Sequence, residues 1–321
     1  MNVSNLTLDG DDFEIPEFMT YLLITFKTMF FVTIVLGTLL NLWLLLAIVT
    51  CPEMRSRIRN KLIVSNCVLY LVQCLVEGPL DVAALSSDTK SCSIFHAVIN
   101  IMLMLDFVSN YTLLTMVIVF VLQLMDLKLS VWMSELKQLV VTLGVLLIPW
   151  VASLLTIPAM VTTSDKYIIF ADCPIPRSYL IFRIVNTIVP LMLAAGVSVA
   201  AALMKRRRFS AGLNPSGMQV ELLSPGPEMD EAKTYLVAVA VSFLCDIGVT
   251  IMEFDLGIPA VETRIILGFS TVTLETIRPV VMALPWLLFN DIRQRLKTWR
   301  PWYRPEPGID LTQAQGGQHE L

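Results

Sequence analysis

Apolar residues run in long blocks along this chain, and most charged residues fall in the gaps between them. A helix needs roughly 20 apolar residues to cross the hydrocarbon core of a bilayer. Blocks of that size stand at Tyr21–Val49, Lys61–Leu85, Ile94–Leu124, Leu139–Val161, Tyr179–Met204, Tyr235–Phe254 and Ile265–Phe289. The pattern predicts an all-α membrane protein, a seven-transmembrane helix bundle over residues 21–289. Apolar and polar residues do not alternate at period two, which excludes a membrane-spanning barrel. Composition agrees. The chain is 55% hydrophobic and 16% charged, where a soluble domain carries about a quarter charged residues.

The gaps are short except one. Residues 205–233 begin with Lys205-Arg206-Arg207-Arg208, pass through Gly212, Pro215, Gly217, Pro225, Gly226 and Pro227, and end acidic. That composition predicts a mobile cytoplasmic loop. Its basic cluster fits an anchor on anionic lipid or a contact for a cytosolic partner. After Phe289, Asn290 is placed to cap a further helix. Ile292, Leu296 and Trp299 repeat at i, i+4 and i+7 while Arg293, Arg295 and Lys297 point elsewhere. This predicts a short amphipathic membrane-surface helix over 290–299. Residues 300–321, Pro-rich and then polar, read as a disordered cytoplasmic tail.

Orientation follows Lys and Arg near the span ends. With the N-terminus outside, sixteen of the 23 basic residues fall on the inner side, among them Arg55, Arg57, Arg59, Lys61 and the groups after the fifth and seventh blocks. The expectation is a multi-pass protein of the plasma membrane, with residues 1–20 as an extracellular segment and the C-terminus in the cytoplasm. The first nineteen residues hold five acids, no Lys or Arg and no apolar run, unlike a cleavable signal peptide. Asn2 and Asn5 open glycosylation sequons on the outer side, whereas the Asn110 sequon lies inside a span and the Asn214 one is blocked by Pro215. Of six cysteines, only Cys92 and Cys173 are placed outside, which predicts one disulfide between them.

Several local runs carry a family likeness. Pro190 stands in Ile188-Val189-Pro190-Leu191-Met192, Phe243-Leu244-Cys245 precedes Asp246, and Arg278-Pro279-Val280-Val281-Met282 is followed by Phe289-Asn290-Asp291-Ile292-Arg293. With seven spans, an outer bridge and a surface helix, the chain resembles the rhodopsin-like G-protein-coupled receptors over nearly its whole length. These runs look like the family's span 5 proline, C-W-x-P region and N-P-x-x-Y with its following helix. Pro79 and Pro158 fall near the family's prolines in spans 2 and 4.

The departures are specific. Where the family carries D-R-Y, the two registers give Met116-Val117-Ile118 or Val119-Phe120-Val121. The span 2 aspartate becomes Tyr70, C-W-x-P becomes Cys245-Asp246-Ile247-Gly248, and Arg278 and Met282 replace the asparagine and tyrosine of N-P-x-x-Y. The resemblance therefore implies a divergent, orphan-like member. Span 7 has no lysine for a retinal Schiff base, and the aminergic aspartate of span 3 is represented by Ile99 and Asn100.

Ionisable residues at mid-bilayer cost about 2.5–3.5 kcal/mol each on insertion scales and mark functional sites. Four are present: Asp106, Asp246, Glu275 and Arg278. Asp106 and Arg278 each lie about 21 Å down from the outer end of their spans at a rise of 1.5 Å per residue. Glu275 and Arg278 stand three apart, as neighbours on a helical face do. An intramembrane ionic core is expected in which Arg278 pairs with Asp106 or Asp246 and with Glu275. In many relatives a sodium ion bridges carboxylates here, and the guanidinium is placed to replace it. The alternative is a purely structural fastening of the helices.

Near the outer mouth the candidate ligand-binding residues are Glu77, Asp81, His96, Asn100, Arg183 and Glu253. Their acidic balance favours a cationic small molecule or peptide. The resemblance implies a receptor that passes an extracellular ligand signal to a heterotrimeric G protein. A receptor-shaped decoy or scaffold without coupling, or a small ion or proton transporter, are the alternatives, although no internal repeat supports transport. With His96 and His319 the only histidines, no metal-type Cys/His spacing and no phosphate loop, neither an enzyme nor a metal or cofactor is expected. The expected partners are membrane lipid, the ligand and the G protein, with no nucleic acid.

Overall fold

The computed structural model describes residues 17–86, 92–124, 135–162, 167–170, 173–176, 178–210, 232–253 and 261–298. Helix dominates. α1 spans Glu17–Val49 and is followed by the short α2, Pro52–Ser56. Pro52 opens α2, where a missing N–H costs nothing. Arg57 is extended and separates α2 from α3, Ile58–Val72. The helix then widens into one π-helical turn, Gln73–Glu77, before α4, Gly78–Ser86. Pro79 explains the widening, because its ring would meet the carbonyl of Leu75 in a regular α-helix.

α5 covers Cys92–Leu124 and α6 covers Glu135–Thr162. Between α6 and α7 lies an antiparallel hairpin, β1 Tyr167–Phe170 with β2 Cys173–Pro176, in the register Phe170 to Cys173 and Tyr167 to Pro176. The all-α expectation missed this hairpin. Its strands are four residues each, too short for period-two alternation to register. α7 runs Ser178–Ser210 and α8 runs Ala232–Glu253. Residues 205–210 and 232–233 of the expected loop are helical: Lys205 and Arg206–Arg208 complete the last turns of α7, where cations meet the negative end of the helix dipole. Residues 211–231 lie outside the described residues.

The last apolar block is broken. α9, Val261–Thr276, and α10, Arg278–Val281, meet at Ile277, and a 3-10 turn at Pro285–Leu288 leads to α11, Asn290–Thr298. The helical segments on either side of Ile277 are bent by 42°. Pro279 cannot donate to the carbonyl of Glu275 and its ring clashes there, so the helix turns instead of continuing. Tight bonds such as Val280 N to Ile277 O at 3.0 Å close the turn.

Among the described residues, four helical stretches are long and apolar enough to cross a membrane: Ile24–Val49, Ile58–Ala83, Cys92–Leu124 and Val185–Met204. The bent pair across Ile277 makes a fifth if it is one span, and Leu139–Leu155 is a shorter apolar helix. Outward faces are apolar as well: Phe31 on α1 is 68% exposed and Leu155 on α6 is 69% exposed. Such surface is expensive in water and suited to lipid. This is an α-helical membrane protein.

The helices pack in a closed order. α1 lies on α3 and, through α9 and α10, on the end of the bundle; α7 lies on α8 and α8 on α9. α5 contacts α3, α6, α7 and α8, and so occupies the middle. Its buried residues Leu105, Val108, Val117 and Phe120 form one core with Tyr70 of α3, Tyr235 of α8 and Met282 and Trp286 after α10.

Candidate functional site

The site is built around Arg278, the first residue of α10, which is only 1% exposed. α5 turns Asp106, Ser109 and Asn110 to one face, at i, i+3 and i+4, and α8 does the same with Ser242 and Asp246. Arg278 Nη1 donates to Asp106 Oδ1 at 2.7 Å and to Asp246 Oδ1 at 2.8 Å. Nη2 donates to Asn110 Oδ1 at 2.8 Å, Ser109 Oγ at 3.0 Å and Ser242 Oγ at 3.2 Å. The planar guanidinium thus reads two helices at once, which a lysine ammonium on its flexible stem does not reproduce.

A further shell holds these partners. Tyr70 OH and Ser109 Oγ share a hydrogen bond of 2.9 Å, and Ser242 Oγ donates to Asn110 Oδ1 at 3.3 Å. Tyr70 therefore joins the network through a neutral hydroxyl. On the other side, Asn41 Nδ2 donates to the carbonyls of Gly37 and Pro279, both at 2.8 Å, tying α1 to the turn that carries Arg278. Withdrawing three such charges from water costs several kcal/mol per ion, offset only by close pairing and hydrogen bonds of this kind.

Glu275 does not join Arg278. Its Oε1 accepts from Arg183 Nη2 of α7 at 2.7 Å. The three-residue spacing predicted a shared face, but that rule holds within an unbroken helix, and the bend at Ile277 turns the two side chains apart. Arg183, expected at the ligand mouth, is 8% exposed and belongs to this second ion pair.

The remaining expected residues lie on the π-helical turn, α4, α5 and the end of α8. Glu77, expected on the acidic rim, is 4% exposed and its Oε2 has no hydrogen-bond partner. Asp81, His96 and Asn100 are half-buried on α4 and α5. Glu253 ends α8 and Cys173 opens β2, but both side chains lie outside the described residues, as do Asn2 and Asn5. Among the described residues no cluster of His, Cys, Asp and Glu is placed to hold a metal ion.

A second charged site lies at the other end of the bundle. Arg59, counted above as loop charge, is 3% exposed. Its Nη2 pairs with Asp291 Oδ2 of α11, joined by Arg57 Nη1 at 3.1 Å, and its Nε donates to Asn60 Oδ1 at 2.9 Å. The guanidinium lies 4.1 Å over the Phe289 ring. Phe289 in turn meets Tyr235 edge-on at 5.6 Å, and Tyr235 stacks on Phe120 at 4.7 Å. One chain of contacts so links α3, α5, α8 and α11. No protein-family model matches the chain, and no curated protein matches it.

Proposed function

We propose that the chain is a divergent member of the rhodopsin-like G-protein-coupled receptors, seven-spanning, in the plasma membrane with an extracellular N-terminus and a cytoplasmic C-terminus. It passes the signal of an extracellular ligand to a cytosolic G protein. The observation that carries this reading is the Arg278 network. One guanidinium holds α5, α8 and α10 together at the centre of a closed ring of helices. Any relative movement of these elements must break or exchange ion pairs, and discrete alternatives of that kind give a bundle two states that a ligand can bias.

Other observations support the architecture. Cys92 is in the disulfide state, Cys51, Cys67, Cys74 and Cys245 are free, and β2, which opens at Cys173, lies against α5. These favour a Cys92–Cys173 bridge that holds the hairpin over the bundle. A decoy or scaffold without coupling is favoured by one specific feature. Met116, Val117 and Phe120, which stand at the two registers of the missing D-R-Y, are fully buried apolar residues.

Basal dissociation of a panel of G proteins, measured in cells that deliver the tagged chain to their surface, decides between the two. Activity above a receptor-negative control for any subtype, altered by Asp246→Asn, is the expected result. Surface delivery with silence across the panel, both alone and with Asp246→Asn, selects the scaffold.

A further inference from the structure

Within electrostatic reach of the Arg278 network lie three more carboxylates, from two sides of the bundle. Glu77 ends the π-helical turn, Asp81 stands one turn further on in α4, and Glu275 stands near the end of α9. Glu77 is within electrostatic reach of Asp81, Asp106, Glu275 and Arg278, and Asp81 of Glu275. Like charges gathered in a bundle interior repel one another, and a cation bound among them relieves that repulsion. Arg183 pairs with Glu275 at 2.7 Å.

Glu77 supplies an independent sign that something is bound here. Its Oε2 is buried and meets no donor, although polar groups withdrawn from water are almost always hydrogen-bonded. An oxygen left so bears its full desolvation penalty until a ligand donates to it. Asp81, half-buried beside it, gives the site a side reachable from the end of α4. A metal ion does not fit, since no group of three ligating side chains is suitably placed among the described residues. The protein itself shows which cation does: a guanidinium, that of Arg183, already reaches Glu275 from α7. α7 packs on α5 and α8, and α9 on α8 and α1, so this arm crosses the bundle interior.

We propose that Glu77 and Asp81, beside the Arg183–Glu275 pair, form the anchoring site for the ammonium or guanidinium group of an organic cation. Its role as the ligand site rests on the receptor reading above; the binding itself does not. The carboxylates accept from the cationic head, and the rest of the molecule extends toward the mouth past Asp81.

The test uses the purified full chain in detergent, with phenylguanidine and benzylamine as probes and phenylurea and benzyl alcohol as their neutral counterparts. Thermal unfolding reads binding directly. Saturating phenylguanidine or benzylamine should raise Tm by about 2–4 °C. The neutral compounds and equal sodium chloride should not. Glu77→Gln and Asp81→Asn should each remove the shift, and because Asp81 is only half-buried its variant remains informative if the Glu77 one fails to fold. No shift with either cation, a shift matched by the neutral compounds or by sodium chloride, or a shift retained in Asp81→Asn overturns the proposal. G-protein silence with an intact shift counts against the receptor reading only, and coupling without a shift counts against this site only.

Discussion

Arg183 of α7 donates to Glu275 of α9 at 2.7 Å, although Glu275 is only three residues from the buried Arg278. The bundle therefore holds two arginine-centred ion pairings, which lie within electrostatic reach of each other. Arg278 serves Asp106 and Asp246 at the centre, and Arg183 serves Glu275 across the interior. The bend at Ile277 is what separates them.

That separation is measurable. In the wild-type background Glu275→Gln leaves Arg183 buried without its carboxylate, a loss of about 3–5 kcal/mol for a buried pair and less here because both side chains keep some exposure. Placed on Arg183→Met, the same change should cost far less, since its partner is already gone. Placed on Arg278→Lys, it should keep its cost. Thermal unfolding of the single and double variants gives both comparisons. A Glu275→Gln penalty that vanishes with Arg278→Lys and survives Arg183→Met would show that the pairing is reversed.

Removing the central cation has a different signature. Arg278→Met strands the carboxylates of Asp106 and Asp246 in a buried site, and losing one partner of a buried pair costs about 3–5 kcal/mol. The expected outcome is a sharp fall in folded yield and surface delivery. Adding Asp106→Asn removes one stranded charge and should recover part of the loss, with Asp246→Asn recovering more. Size-exclusion yield and surface labelling read the result. Equal expression of all versions would mean that the ion pairs contribute nothing to folding.

The parts of this site legible from sequence are those where rarity alone carries the information. Asp106, Asp246 and Arg278 stand out because a charge inside an apolar block must be satisfied from within the bundle, and the structure joins them. Partner choice was not legible for Glu275, because helical spacing assumes an unbroken helix and Pro279 breaks this one at Ile277. Arg183 and Glu275 are 92 positions apart, and no local pattern links them. Arg59 was missed for another reason. Counting Lys and Arg assigns a side of the membrane but not a depth, so a 3% exposed arginine over the Phe289 ring reads like any loop charge. The apolar blocks, by contrast, are long-range features of composition, and each contains helix in the structure.

The Arg59 site predicts a stabilising role for α11. Asp291→Ala removes the carboxylate that Arg57 and Arg59 share and should cost about 1–3 kcal/mol, the range for leaving a buried donor unsatisfied. Phe289→Leu keeps the apolar volume but removes the ring under the guanidinium, with a smaller loss of about 0.5–2 kcal/mol. Combined, the two should fall short of additivity, because both act through Arg59. Thermal unfolding of the three variants tests this. Full additivity would mean that the carboxylate and the ring act on different groups.

Close packing between α8 and α9 gives the last prediction. A Cβ added at Gly248 would lie 2.6 Å from Thr271 Cγ2 and 3.4 Å from its Cα. Thr271 has little room to yield: it is buried, stiff at χ1 as a β-branched residue, and its Oγ1 donates to the Gly268 carbonyl at 2.9 Å. Gly248→Ala should therefore push the helices apart and cost about 1–3 kcal/mol, the range for overpacking. Gly144 and Gly196 are the controls, since an added Cβ meets nothing within 4 Å at either. There Ala should be neutral or stabilise by about 0.5–1 kcal/mol through its better helix propensity. Adding Thr271→Ser to Gly248→Ala deletes the clashing methyl while keeping a hydroxyl for Gly268, and should recover part of the loss. If Gly248→Ala melts with Gly144→Ala and Gly196→Ala, α8 and α9 do not make this contact.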